Sequence, residues 1–268
     1  MGAPSERAVR KAAEVLELDT EELPHDGGYL DLVGAHDPPA GSLAQLLMRT
    51  RIVPSVYERW WRPALGRVVK GPRGPSMAQE ERLARDLLAL GEGATVLDVA
   101  CGPGNFTRTF AREVGEHGTV IGIDISAPML DRAARDTHAS QVVYIRSDVA
   151  TLRVRAGSVD AVCCFAALHL FSDPWTALDV MARALVPGGR LALLTTSRPT
   201  SLPPAQVTDL LGRVSGVRMF GVEELARALA DRGLEVFQQR TFGLMQIVGA
   251  RRPSPPNKRY GRGHERSR

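Results

Sequence analysis

Cysteine is scarce in this chain. The three it has, Cys101, Cys163 and Cys164, offer no metal-ligand spacing. Two of them are neighbours in an apolar run, where successive side chains of a strand point to opposite faces, so reduced, structural thiols are expected and no metal is. Long apolar runs are missing as well. The longest, Val159 to Phe165, falls well short of the ~20 residues a bilayer demands, which excludes a transmembrane helix. The amino-terminal stretch carries Glu6, Arg7, Arg10, Lys11 and Glu14 and lacks the apolar region of a signal peptide, so a cytoplasmic protein is expected. A basic body is absent too. The net charge is +4, yet residues 251–268 hold seven Lys or Arg against Glu265 alone, which leaves residues 1–250 slightly acidic. An RNA-directed enzyme would more often show a basic face on its folded part, so no nucleic-acid partner is expected.

What the chain does contain is organised around Val96-Leu97-Asp98-Val99-Ala100-Cys101-Gly102-Pro103-Gly104-Asn105. An apolar strand runs into an acid, then a Gly-Pro-Gly loop, then a helix near Phe106 to Val114. Gly102 and Gly104 let the backbone turn sharply and approach a ligand, and the helix that follows aims its unpaired N–H groups at that place. A dinucleotide fingerprint would require a third glycine at position 107. Thr107 stands there, and Asp98 would repel a pyrophosphate, so NAD is disfavoured. A second apolar strand, Thr119 to Ser126, ends in Asp124, twenty residues past Gly104. At that spacing in a βαβ unit the second strand ends beside the first, and the carboxylate can accept both hydroxyls of a ribose or serve as a plain strand-end acid.

The loop resembles motif I of the class I S-adenosylmethionine (SAM)-dependent methyltransferases, and further pieces follow in that family's order. After Asp124, Ser126-Ala127-Pro128-Met129-Leu130 opens a helix with proline suited to its first turn. A third strand, Val142 to Arg146, leads to Ser147-Asp148-Val149, and a fourth, Val159 to Phe165, leads to Ala166-Ala167-Leu168-His169-Leu170. This last run is similar to a segment of the ubiquinone and menaquinone methyltransferase-like branch. A helix from Trp175 to Leu185, a turn at Pro187-Gly188-Gly189 and a fifth strand from Arg190 to Thr196 supply the Leu-x-Pro-Gly-Gly-x-Leu signature. A helix from Val222 to Arg232 and two closing strands, 234–240 and 244–250, lie too close together for a helical crossover and are expected to be antiparallel.

The resemblance implies an α/β fold with a doubly wound, seven-stranded, mainly parallel sheet and an N-terminal helical lid. It implies SAM as cofactor and S-adenosylhomocysteine as product. Asp98 would face the cofactor's α-amino group, with the loop of Ala100, Cys101, Gly102, Gly104 and Asn105 around its methionine part. Ala100 departs from the family's usual glycine, a change taken as tolerated. Asp124 would hold the ribose. Ile125 and Met129 would lie against the adenine, though both also suit simple core packing. Asp148, flanked by Ser147 and Val149, would meet the exocyclic amine, and Ala166 is a further candidate to contact the cofactor. His169 is the best-placed candidate for a general base, with a structural role as its alternative.

Three parts are expected: an N-terminal helical segment over 1–75, a SAM-binding domain over 76–250, and a basic tail over 251–268. Residues 5–17 look helical, and the pattern resumes at 42–69 around Pro54. Tyr29 to Val33 and Val56 to Arg62 resemble segments of the same branch, some of whose members carry a zinc ribbon. Its cysteines are absent here, so His25 and His36 are read as loop residues. Tyr57, Trp60 and Trp61 suit a lid over cofactor and substrate, or core packing alone. Tyr57 and Arg62 are candidates to approach the cofactor, and Tyr57 is the second candidate for a general base after His169. The tail, rich in Pro253, Pro255 and Pro256, is expected to be disordered and to act as a solubilising extension or an anion contact.

Methyl transfer from a sulfonium requires chiefly in-line positioning and exclusion of water. Apolar candidates around the substrate, Phe171, Trp175 and Val217 to Phe220 among them, suit a flat or greasy small molecule. Methylation of carbon or oxygen in a quinone precursor or secondary metabolite is therefore expected. A SAM-dependent cyclase is the first alternative and an RNA or protein methyltransferase the second.

Overall fold

The computed structural model describes residues 3–18, 28–34, 71, 74–198 and 217–255. The expected features at 42–69, with Tyr57, Trp60, Trp61 and Arg62, lie outside the described residues, as do His25, His36 and residues 256–268. Elements follow in the order α1 (Glu6–Leu16), β1 (Leu30–Asp31), α2 (Met77–Leu88), β2 (Thr95–Val99), α3 (Asn105–Val114), β3 (Thr119–Asp124), α4 (Ala127–Asp136), β4 (Val142–Arg146) and β5 (Val159–Phe165). A 3-10 turn (Leu168–Leu170), α5 (Pro174–Ala184), β6 (Leu185–Thr196), α6 (Val222–Ala230), β7 (Glu235–Phe242) and β8 (Met245–Arg251) complete it.

The strands form one sheet in the order β1-β4-β3-β2-β5-β6-β8-β7. Pairing is parallel up to β6 and antiparallel for β8 against both β6 and β7, as the short connection between the last two strands requires. Chain direction across the sheet reverses between β2 and β5, so their carboxyl ends open a crevice where ligands collect in folds of this kind. Helices cover both faces, which is why the parallel strands read as unbroken apolar runs. Along β2, Val96 packs with Leu87 of α2 and Phe110 of α3, while Leu97 and Val99 pack on the other face with Leu16, Leu178 and Leu225. Cys163 and Cys164 divide between the same two faces.

Four features differ from expectation. The sheet has eight strands rather than seven, because Leu30 and Asp31 pair with Ile145 and Arg146 along the free edge of β4. Helix α1 is part of the core rather than of a lid. Ser5 caps it through the Ala8 N–H, and its apolar stripe of Ala8, Ala12, Ala13, Val15 and Leu16 is buried in the cluster that holds Ile121 and Ile145. The Pro187-Gly188-Gly189 turn is an excursion within β6, marked by a register shift against β5 between Val159 and Ala161. At the carboxyl end, Arg251 belongs to β8, and Arg252 donates to the carbonyls of Ala182, Arg183 and Leu185. The first two tail residues are thus part of the fold.

Candidate cofactor and active site

Of the expected site residues, those among the described residues lie along the carboxyl edge of β4, β3, β2 and β5, and Tyr57 and Arg62 fall outside them. Asp98 is 2% exposed, on the same side of the sheet as α3, and its Oδ2 accepts a hydrogen bond of 2.6 Å from the Thr107 hydroxyl. Burial pushes this carboxyl up to about 7, against the pull of Thr107. Just past Asp98 the chain leaves the sheet at Ala100, whose φ of 55° lies in the left-handed region. Ala166, past the end of the adjacent β5, does the same at 58°. Two non-glycine residues in this conformation, one on each side of the crevice, mark stored backbone strain of order 1–2 kcal/mol each. Glycine at 100 would relieve it, so the alanine is tolerated at a cost.

The two loop glycines serve different neighbours. Gly102 has φ 55°, and a Cβ there would meet nothing within 4 Å. It keeps the cradle open to a ligand. Gly104 has φ 78°, and a Cβ there would collide with the Tyr144 hydroxyl from within the protein. The loop is braced by Arg108, which donates to the Pro103 carbonyl at 2.8 Å and to the Asn105 Oδ1 at 2.6 Å. Gly104, the N-cap of α3, has no side chain to cap it, and the Asp98 carboxylate accepts from the Thr107 backbone N–H in the helix's first turn. Cys101 donates its backbone N–H to Ile123, and its buried thiol is pushed well above the usual range by desolvation. It is a packing residue there, not a nucleophile.

Asp124 accepts from the Gly102 N–H and the Ser126 N–H, both at 2.8 Å, one through each carboxylate oxygen. It therefore ties the glycine loop to the start of α4. Ile125 is half-buried, and its carbonyl accepts from Arg146 Nε at 3.2 Å. Met129 and Val149 are buried, and Val149 belongs to the core, so it can offer a ligand only its backbone. Ser147 N–H bonds the Asp124 carbonyl, and Asp148 Oδ1 accepts from Ala150 N–H.

His169 sits on the 3-10 turn after β5. Its Nδ1 lies 3.4 Å from the Thr195 hydroxyl, and burial pushes its imidazole down to about 4, so it is neutral near pH 7. Its carbonyl accepts from Arg218 N–H, whose own carbonyl accepts from the Thr196 hydroxyl. Phe220 is fully buried, and Trp175 is stacked edge-on against it at 5.6 Å with the Arg218 guanidinium 4.7 Å over its ring. These aromatics hold the segment 217–220 against α5.

Sequence patterns had not singled out Thr107 as Asp98's partner, Tyr144 as the floor of the loop, or Arg146, which bonds Asp31 at 2.9 Å. The contacts of Tyr144 with Gly104 and of Arg146 with Asp31 join positions far apart in the chain, and Thr107 reaches Asp98 from nine residues on. Among the described residues no group of three His, Cys, Asp or Glu could hold a metal ion, and no helix is long and apolar enough to cross a membrane.

Free space at Gly102, a buried acid at Asp98 and a strand-end acid at Asp124 are chemically compatible with a cofactor such as SAM, which carries an ammonium and a ribose. Fold and site together define a doubly wound protein built to bind a nucleoside cofactor. A methyltransferase-domain family matches residues 96–189. The chain is 36% identical over 175 residues to an uncharacterized chloroplastic methyltransferase of Arabidopsis thaliana, covering 63% of this chain and 48% of that one. It is 37% identical over 178 residues to a demethylmenaquinone methyltransferase of Bacillus licheniformis, covering 58% and 77%. A SAM-dependent methyltransferase of Aquifex aeolicus has a similar fold, with TM-score 0.54, 23% identity and coverage of 74% and 98%. The chain belongs to the class I SAM-dependent methyltransferases, in the ubiquinone and menaquinone methyltransferase-like branch. It spans about half the length of the first curated relatives it matches.

Proposed function

We propose that the chain transfers a methyl group from SAM to carbon or oxygen of an apolar, aromatic small molecule of the quinone-precursor type. The observation that carries this reading is the open cradle at Gly102, set between the buried Asp98 and the strand-end Asp124. A relative named as a demethylmenaquinone methyltransferase supports the substrate class. SAM, when bound, supplies an electrophilic methyl on its sulfonium. Asp98 would pair with the α-ammonium and Asp124 with the ribose hydroxyls, while Ile125 and Asp148 would receive the adenine. His169, neutral near pH 7 and at the carboxyl end of β5, would take the proton that the nucleophile loses.

The test is transfer of a labelled methyl from SAM to a panel of hydroxylated and prenylated quinone precursors, with S-adenosylhomocysteine measured alongside. Label and S-adenosylhomocysteine should form in equal amounts. His169→Ala should lower turnover by about 10²-fold while SAM affinity stays unchanged. Turnover unchanged in that variant would reduce His169 to a structural role, and product without S-adenosylhomocysteine would refute transfer.

A further inference from the structure

We propose that Tyr144 is a positioning residue for the cofactor acid: its hydroxyl, reaching beneath the glycine loop, orders Thr107, and Thr107 fixes the Asp98 carboxyl that meets the α-ammonium. This rests on the SAM reading above. Tyr144 lies on β4, two strands from Asp98, and is 3% exposed. To reach the loop its ring must pass over β3. It does so at Gly122, where a Cβ would lie 2.7 Å from Tyr144 Cδ1 and 3.1 Å from Cys101 Sγ. The hydroxyl ends under Gly104, where again only glycine leaves room. Two glycines at separate positions thus make way for one phenol.

Packing alone would be served by phenylalanine, so the hydroxyl needs a separate account. It lies 2.9 Å from the Thr137 hydroxyl at the end of α4 and faces the Thr107 hydroxyl on α3. Burial pushes the phenol upward, so it stays protonated and available as a donor. Thr107 is committed as donor to Asp98. One direction satisfies every member: Thr137 donates to Tyr144, Tyr144 to Thr107, and Thr107 to Asp98. Each bond polarises the next toward the carboxylate. The titratable and charged groups around this chain are Asp124 and the thiols of Cys101, Cys163 and Cys164 about Asp98, with Cys101 and Arg108 about Tyr144.

The experiment is calorimetric titration with SAM from pH 6 to 9. Wild-type affinity should rise with pH through about 7, as Asp98 ionises and pairs with the ammonium. Tyr144→Phe keeps the ring. It should weaken binding about fivefold at pH 7.5 and move the midpoint upward, because the carboxylate loses a donor chain. Thr137→Val should move the midpoint the same way by less. A folded Tyr144→Phe with unchanged affinity and midpoint would overturn the proposal. Should that variant not fold, Thr107→Ser and Thr107→Val decide. Retention of affinity and midpoint in the first and their loss in the second is expected, and equal loss in both would overturn it. A wild-type protein that binds neither SAM nor S-adenosylhomocysteine at any pH would instead sink the cofactor reading.

Discussion

Asp98 is held in a place that disfavours its own charge. With its carboxyl pushed from the usual 3.8 up to about 7 by burial, the native state keeps a proton that the unfolded chain releases. Stability of the ligand-free protein should therefore fall as pH rises from about 4 to about 7 and level off above. His169 acts in the opposite sense. Its imidazole is pushed down to about 4, so between about 4 and 6.5 the unfolded chain binds the extra proton and stability rises with pH. The two slopes oppose each other over most of that range, and the wild-type profile should hide both. Asp98→Asn removes the first, so thermal melts should show a higher Tm than wild type at pH 8 and a steeper rise with pH between 4 and 6.5. A Tm at pH 8 no higher than wild type would mean the carboxyl carries no burial penalty. The same substitution should weaken SAM binding, since the site holds an acid at the expense of the fold.

At the scale of elements, the glycine loop separates binding from stability. Gly102→Ala adds a methyl to open space at φ 55°, so it should cost the fold only about 1 kcal/mol of backbone strain while weakening SAM binding. Gly104→Ala drives a methyl into the Tyr144 hydroxyl at φ 78° and should destabilise by about 2–4 kcal/mol. Denaturant melts beside binding titrations would distinguish them, and equal effects of both substitutions would contradict the assignment. Helix α1 makes a second case. Leu16, fully buried against the sheet, should cost about 2–5 kcal/mol as Leu16→Ala. A removable lid would show no such loss. The helix itself was legible, because Ser5 and an apolar stripe announce it. Its place was not, since an amphipathic stripe fits a lid and a sheet face equally well. Strand β1, two residues long, has no period to read and is defined by its partner β4. Strands β4 and β5 were readable to the residue because both faces are buried and their apolar runs end at acids or small residues.

The molecule as a whole is an order of strands that brings β2 and β5 side by side with opposite onward courses. That order follows from the sequence of βα units, and Asp98, Gly102, Asp124 and Asp148, the candidates to which the family resemblance pointed, all lie along its carboxyl edge. What supports them could not be read. Thr107 under Asp98 is a strand-to-helix contact that no apolar pattern marks, and Tyr144 under Gly104 and Arg146 between Asp31 and Ile125 are contacts between separate strands and loops. The account's central claim is that this edge holds SAM with Asp124 as a principal ligand. Calorimetry of SAM and S-adenosylhomocysteine binding to the intact protein, with Asp124→Ala beside it, tests this most directly. Micromolar binding of both, weakened at least about 10-fold in a folded Asp124→Ala by the loss of charged hydrogen bonds, is the predicted result. Absence of binding to wild type, or equal affinity in the variant, would contradict it.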